Sequence, residues 1–308
     1  MAAQAISIHP QAAGLSVKFN AMASPCELLV DSVDQQLGEQ LGQLVANEVW
    51  RIEQKYSRYN TQSVCSAINQ SQGLPLAIDN ETYALLNFAK LCFYLSDGLF
   101  DISSGILRRV WHFDCSDNLP TPAQISALLP NIGFNKIVFD QSSITLPKGM
   151  ELDFGGIGKE YAVDKCIQLL QAHSPVAALV NLGGDLAVTT ERSDGQAWQI
   201  GIEHPGFVQQ QTMVVSLRSG ALATSGDAKR YLLKDGIRYS HILNPRTGCS
   251  ITDAPRSVTV AAPQCIQAGM LATLAMLQGR DAQILLDSQP LPIGSFANLL
   301  NTVILNRF

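Results

Sequence analysis

Polar side chains that could orient or deprotonate a hydroxyl group are concentrated in residues 223–249. Thr224 and Asp227 lie near the start of this stretch, and His241 lies beyond its middle. An Asp-Gly pair at 235–236 separates two runs of strand-like composition, which predicts a β-hairpin closed by a two-residue turn. Such a hairpin would bring the polar groups together, although an ordinary surface hairpin has the same local pattern.

A second stretch, residues 151–164, has the composition of an anion-binding turn. A strand is predicted to end at Asp153, a glycine-rich turn containing Gly156 follows, and a helix begins at about Lys159. Backbone N–H groups at the start of a helix attract anions, and glycines let the chain pass close to a ligand. The spacing excludes a Walker-type phosphate loop, and the third glycine of a dinucleotide fingerprint is missing. The stretch is therefore a phosphate-binding candidate of neither common type.

These two stretches resemble motifs of the FAD:protein FMN transferases, the ApbE family. In that family Thr-Ser-Gly-Asp is followed by Ser-His-Ile and then by Pro-Arg-Thr-Gly, and residues 224–248 contain these groups in the same order. The second stretch matches an Asp-x-x-x-x-x-Lys-Gly-Tyr-x-x-Asp pattern from Asp153 to Asp164, with Glu160 in place of the glycine. The resemblance runs over residues 22–273 in about six motifs, so it covers nearly the whole chain.

The resemblance implies that the chain binds FAD. Two of the implied contacts depart from the family pattern, since Met22 is followed by alanine instead of glycine and Leu99 replaces a small residue. Taken alone, Met22 could equally be a core methionine, Tyr59 a packing anchor and Asp101 the cap of the next turn. The residues implied to contact FAD are Met22, Tyr59, Leu99, Phe100, Asp101, Asp153, Lys159, Thr224, His241 and Ile242.

The resemblance also implies a Mg²⁺ site. In the family, an acid one helical turn before a threonine binds the metal, because residues four apart share a helix face. Here that position is Gly269, so the carboxylate is missing, and Asp185 or Asp227 could compensate. We expect metal to bind weakly without FAD, because magnesium relies strongly on substrate phosphates. The implied ligands are Gly156, Ala272 and Thr273.

The implied activity is Mg²⁺-dependent transfer of FMN from FAD to a Ser or Thr hydroxyl of a target flavoprotein, with release of AMP. The implied fold is α+β, two-lobed with mixed sheets, and holds FAD in its cleft. His241 and Asp153 are the candidates for orienting or deprotonating the hydroxyl, and the sequence does not choose between them. Two alternatives stay open: an FAD-binding or carrier protein without transferase activity, and an FAD pyrophosphatase that gives FMN and AMP.

The elements that must position these residues follow from the hydrophobic pattern. Apolar residues at helical spacing predict helices, and short apolar runs between turn signals predict strands. Residues 177–188 are predicted as one buried strand whose glycine break lets a cofactor approach, although a β-bulge has the same pattern. The predicted helices cover 34–56, 81–95, 122–129, 159–171 and 265–277, and the other strands lie at 15–31 (with a break at 21–25), 136–140, 143–146, 198–203, 212–217 and 257–261.

The bulk composition predicts a compact globular protein. We expect a single ApbE-like domain over residues 1–308, with possible lobes 1–115 and 131–308 joined by a proline-containing linker. Charged residues make up 15% and hydrophobic residues 46% of the chain, which is not the composition of a disordered protein. The formal net charge of −5 argues against a nucleic-acid partner, because binding to nucleic-acid phosphates needs a basic surface.

Cysteine usage favours the cytoplasm. The 7 cysteines are scattered and include no Cys-x-x-Cys pair, a pattern typical of reduced thiols and not of a disulfide framework or a zinc site. The N-terminal sequence lacks the basic region and sustained apolar run of an export signal. No run approaches the ~20 apolar residues that cross a bilayer. We therefore expect a cytoplasmic protein without a membrane span, although many members of the family it resembles are exported lipoproteins.

Overall fold

The computed structural model describes residues 4–203, 211–227, 230–288 and 304–306, and its elements are numbered in chain order. The strands are β1 (Ser7–Gln11), β2 (Gly14–Ala21), β3 (Ser24–Val30), β4 (Leu76–Ala77), β5 (Val138–Phe139), β6 (Ser143–Thr145), β7 (Ala178–Leu182), β8 (Asp185–Val188), β9 (Trp198–Glu203), β10 (Gln211–Leu217), β11 (Gly220–Gly226), β12 (Tyr231–Lys234), β13 (Ile237–Ser240), β14 (Ser257–Ala262) and β15 (Ile304–Asn306). The α-helices are α1 (Gln35–Tyr56), α2 (Val64–Asn69), α3 (Asn80–Leu95), α4 (Pro122–Leu128), α5 (Gly158–His173), α6 (Cys265–Leu277) and α7 (Ala282–Asp287). Short 3₁₀-helices cover Ile102–Arg109, Leu129–Asn131, Phe134–Lys136, Phe154–Gly156 and Gly279–Asp281.

An eight-stranded sheet forms the framework, in the order β1-β2-β3-β7-β8-β11-β14-β15. Three smaller sheets pair β9 with β10, β12 with β13, and β6 with both β4 and β5. Each strand pair in the described residues is antiparallel. The predicted α+β class is confirmed.

Tight turns close the hairpins of this framework. Asp235 (φ 52°) and Gly236 (φ 76°) both have positive φ and join β12 to β13, which confirms the predicted hairpin. Gly183 (φ 68°) and Gly184 (φ 106°) join β7 to β8 in the same way. The prediction of one strand over 177–188 is therefore wrong, because two successive glycines with positive φ reverse the chain instead of bulging it.

The main sheet lies between two different layers. Helices α1, α5 and α6 pack on one face, and their apolar side chains join those of Leu28 and Val180 in the larger core. Trp198 and Leu217, from the β9–β10 ribbon, pack with Leu179 in a second core. The predicted helices at 34–56, 159–171 and 265–277 are confirmed, and α5 and α6 carry residues of the candidate site against the sheet.

The segment around residues 115–130 contains α4 and packs in a third apolar cluster with Trp111 and Leu232. Strands from both sides of this segment share the main sheet, since β3 pairs directly with β7. The division into lobes at this segment stays a prediction.

Candidate active site

The first turn of α5 carries one side of the candidate site. The Lys159 ammonium donates a hydrogen bond to Asp185 Oδ2 at 2.6 Å, and Asp185 Oδ1 accepts one from the Thr224 backbone N–H at 3.3 Å. The Thr224 hydroxyl lies 2.8 Å from the Thr259 hydroxyl across β11 and β14. The structure thus brings together Lys159 and Thr224, which are far apart in the chain, and we call Lys159, Glu160, Asp185 and Thr224 the lysine cluster.

Electrostatics keep Lys159 charged. Burial lowers the pKa of its ammonium, but the nearby carboxylates of Asp185 and Glu160 outweigh that effect and the net pKa is raised. Lys159 is therefore a fixed positive charge beside the glycine-rich turn Phe154–Gly156, at the helix end that attracts anions.

Glu160, the next residue, is only 8% exposed, and its Oε2 has no hydrogen-bond partner within the described chain. Burial, reinforced by the negative charge of Asp185, raises the pKa of this carboxyl to about 8. Its side chain lies on Gly269 of α6, where an added Cβ would be 2.6 Å from Glu160 Cγ. Sequence reasoning noted Glu160 only as a departure from the family glycine and missed its contact with Gly269.

Asp153 lies on the other side of the turn, within a group of ion pairs. Its Oδ2 is 3.1 Å from Arg58 Nη1 and 3.3 Å from Arg108 Nε, and its Oδ1 accepts the Gly155 N–H at 2.8 Å. Arg58 also contacts Glu151 at 3.3 Å. We call Arg58, Arg108, Glu151 and Asp153 the arginine cluster. The sequence analysis did not identify either arginine, although Arg58 lies next to Tyr59 in the quoted loop.

His241 follows β13 and lies within electrostatic range of this cluster. Its backbone N–H donates to the Arg230 carbonyl at 3.2 Å, and its buried Nδ1 has no hydrogen-bond partner among the described residues. Burial, followed by the positive charges of Arg108 and Arg230, lowers the pKa of the imidazole to about 4. The ring is therefore neutral at pH 7. Arg108 acts on both predicted catalytic residues, since it pairs with Asp153 and influences His241.

Phe100, in the Leu99–Asp101 stretch, packs against the glycine-rich turn. The Phe100 ring lies 3.5 Å from the position of a Cβ on Gly156.

Asp101 Oδ1 accepts the Ser103 N–H and hydroxyl at 2.8 and 2.6 Å, and Oδ2 accepts the Phe134 N–H at 2.9 Å. Its carboxylate is thus occupied as the cap of the 3₁₀-helix Ile102–Arg109. Leu99 is half-buried against the core. Roles for the three in FAD binding stay predictions.

Three other predicted FAD contacts have different environments. Met22 lies in the β2–β3 turn with a positive φ of 51°, and its N–H donates to Glu53 Oε1 at 2.7 Å. The side chain of Tyr59 is 81% exposed, so it is not a packing anchor and is accessible to a ligand. Ile242 is buried, and its N–H is held by the Ser240 hydroxyl at 3.0 Å.

The predicted metal ligands lie on or against α6. Ala272 is buried, the Thr273 hydroxyl is 3.5 Å from the Ser225 hydroxyl, and α6 packs on the turn that contains Gly156. Within the residues that the structure describes, no three His, Cys, Asp or Glu side chains form a group able to hold a metal. A cation here would therefore depend on few protein ligands.

The two acids expected to compensate for Gly269 are both engaged. Asp185 binds Lys159 at 2.6 Å, and Asp227 binds Arg238 at 2.7 Å and Arg256 at 3.0 Å. The acid that reaches Gly269 is instead Glu160.

Comparison with known proteins identifies the family and the fold of this chain. The family model described as "ApbE family" matches residues 22–292. The chain belongs to the ApbE family. Similar ApbE proteins of known structure include one from Thermotoga maritima (TM-score 0.80, 28% identity, 91% of this chain and 90% of that one) and the Pseudomonas stutzeri flavinyl transferase ApbE in its apo form (TM-score 0.78, 27% identity, 91% and 88%). The expected ApbE-like fold is confirmed.

Two curated ApbE relatives carry the name FAD:protein FMN transferase. The Treponema pallidum (strain Nichols) protein is 32% identical over 237 residues, and the Vibrio cholerae (Classical Ogawa 395) protein is 30% identical over 237 residues. The matches cover 70% and 75% of this chain and 65% and 71% of the relatives, so the chain spans about two thirds of the T. pallidum protein. None of the helices described in this ApbE chain is long and apolar enough to cross a bilayer.

Proposed function

We propose that this chain is an FAD:protein FMN transferase. In this reaction the FMN phosphorus of FAD forms a bond to a Ser or Thr hydroxyl oxygen of a target flavoprotein, and its bond to the AMP oxygen breaks. The observation that carries the proposal is the position of Arg108, which pairs with Asp153 at 3.3 Å at the start of the glycine-rich turn and, after burial, is the next largest cause of the lowered pKa of His241. A phosphate-binding helix start and a neutral base are thus linked through a single guanidinium group.

The start of α5 is suited to hold the pyrophosphate of FAD. The Lys159 ammonium lies in the first turn of α5, directly after the Phe154–Gly156 turn, where the positive end of the helix dipole attracts anions. Phosphoryl transfer depends mostly on charge neutralisation and alignment, which fixed groups of this kind supply. The exposed Tyr59 ring and half-buried Met22 remain the proposed flavin contacts.

His241 is the better candidate for accepting the proton of the attacking hydroxyl. Its imidazole is neutral at pH 7, and Nδ1 is without a partner in the described part of the molecule. Asp153 is instead committed to Arg58 and Arg108, which suits a positioning role. The proton thus passes from the hydroxyl to His241 as AMP leaves with the bridging oxygen.

The site also suits Mg²⁺, because a buried carboxylate oxygen of Glu160 has no partner among the described residues. The Thr273 hydroxyl and the carbonyls of Gly156 and Ala272 are the proposed ligands. When bound, the metal neutralises phosphate charge. We further propose a cytoplasmic location, which the seven free cysteines favour.

One assay tests the activity and separates it from its alternatives. The protein is incubated with FAD, Mg²⁺ and cell lysate, and denatured samples are examined for a flavin-fluorescent protein band and for AMP. We expect a band and AMP together, both lost with EDTA. FMN and AMP without a band would instead indicate a pyrophosphatase, and bound FAD without AMP a carrier protein.

A further inference from the structure

Glu160 is a buried acid whose charge the protein does not balance. It is 8% exposed, and Oε2 makes no hydrogen bond within the described residues. An ionised carboxylate in such surroundings is strongly unfavourable unless a proton or cation accompanies it. The Glu160 carboxyl therefore carries either a proton or a cation that the described residues do not provide.

The charges around Glu160 are already engaged elsewhere. Lys159 donates its hydrogen bond to Asp185 at 2.6 Å. Asp164, one turn further along α5, accepts the backbone N–H groups of Cys265 and Ile266 at 2.8 and 2.9 Å. Asp185 and Glu160 thus share one lysine, and Glu160 is the acid with an oxygen unpartnered among the described residues.

The Glu160 carboxyl lies against α6, at the position of Gly269. Its Oε1 is 2.8 Å from the position of a Cβ there. Thr273 lies one turn further along α6, on the same face as Gly269, because residues four apart are neighbours on a helix. Carboxylate, hydroxyl and carbonyl oxygens are the donors that Mg²⁺ and Mn²⁺ take.

We propose that Glu160 is the acidic ligand of the metal site and reaches from α5 across Gly269, the position on α6 that lacks a side chain. This proposal rests on the proposed function, since it concerns the metal of that site. A side chain at 269 and glutamate at 160 compete for the same space, because a Cβ at 269 would lie 2.6 Å from Glu160 Cγ. Glutamate at position 160 can therefore occupy this space only because position 269 is glycine.

The first test measures Mn²⁺ binding by electron paramagnetic resonance of the free ion, without and with FAD. We expect Glu160→Gln, which keeps the shape of the side chain, to weaken binding roughly tenfold or more. Asp164→Asn is the matched control, because it removes a charge from the same helix where both oxygens are already hydrogen-bonded. We expect it to leave Mn²⁺ affinity close to that of the wild type, because the Asp164 oxygens are already engaged with the backbone of α6.

The second test moves the acid to the other helix. Glu160→Gly combined with Gly269→Asp should restore Mn²⁺ binding, whereas Gly269→Asp alone should lower the melting temperature by crowding Glu160. Thermal unfolding of each variant separates lost binding from lost folding. Unchanged Mn²⁺ affinity in Glu160→Gln, failure of the double variant to regain binding while folded, or no binding to wild type with and without FAD would each overturn the proposal. FMN transfer by the wild type reports separately on the proposed function.

Discussion

The arginine cluster and the lysine cluster flank the same glycine-rich turn but balance their charges differently. In the arginine cluster, Asp153 is shared by two guanidinium groups, and Glu151 is held by Arg58 and Arg109. In the lysine cluster, a single ammonium faces the carboxylates of Asp185 and Glu160. The acids of the arginine cluster are all paired within the protein, whereas Glu160 of the lysine cluster has an oxygen without a partner among the described residues.

The two clusters therefore have different roles: one helps to set the protonation state of His241 before a ligand binds, and the other offers a place for a cation. Burial, followed by the charges of Arg108 and Arg230, lowers the pKa of His241, so its imidazole is neutral at pH 7 before any ligand binds. In the lysine cluster, the unpartnered oxygen of Glu160 is the group to which we assign a cation. Four predictions test this contrast.

The largest effect is expected on the arginine side. His241→Ala should lower FMN transfer ~10²–10⁴-fold, because it removes the group that accepts the hydroxyl proton. FAD affinity, measured by fluorescence quenching, and melting temperature should change little. His173→Ala is the matched control, since His173 is exposed at the end of α5. A loss of stability in proportion to the loss of activity would make His241 a structural histidine.

The second prediction compares the removal of one cation from each cluster. Lys159→Met leaves Asp185, whose side chain is 4% exposed, without its ion pair and should lower the free energy of unfolding by roughly 3 kcal/mol. Arg58→Met should cost roughly 1 kcal/mol, because Asp153 keeps Arg108. Urea denaturation of both variants measures the difference. Equal losses would show that the two clusters are balanced alike.

The third prediction concerns pH and His241. The folded-state pKa is about 4, below the ordinary value of 6.5, so between these values the unfolded chain binds a proton that the folded chain does not. Stability contributed by this residue therefore falls as pH falls through that window, by roughly 2 kcal/mol from pH 7 to pH 5. Unfolding of wild type and His241→Gln at both pH values isolates this contribution. Parallel changes in the two proteins would contradict it.

The smallest effect is expected where an acid has two arginines and only one is removed. Arg256→Met should lower the free energy of unfolding by less than about 1 kcal/mol, because Asp227 keeps its contact with Arg238. Arg238→Met should cost more, since Arg238 also lies over the Tyr231 ring at 3.2 Å from its centroid. Thermal unfolding of the two variants measures which loses more stability. A larger loss in Arg256→Met than in Arg238→Met would contradict the argument that Asp227 tolerates the loss of one of its two arginines.

Local patterns predicted the elements that depend on local physics. The Asp-Gly turn at 235–236 and the helices at 34–56 and 265–277 were visible because turn residues and helical periodicity act over a few residues. The hairpin at Gly183 and Gly184 was missed, because a paired glycine in an apolar run has the pattern of either a bulge or a turn.

The charge pairing of the site could not be predicted in the same way. Arg58 and Asp153 are far apart in the chain and meet only because α1 and the glycine-rich turn pack on the same core. The contact between Glu160 and Gly269 likewise depends on how α5 lies against α6. The resemblance identified both positions as departures from a pattern, but only packing showed that one fills the space left by the other.

The pairing of β3 with β7 has a consequence for synthesis of the chain. Leu28 lies opposite Val180, so the sheet cannot close until most of the protein has left the ribosome. At ordinary translation speeds β3 waits roughly ten to thirty seconds for its neighbour, with an apolar edge open to other chains. The same long-range closure makes folding slow. Fragments that end before β7 should therefore aggregate more readily than the full chain.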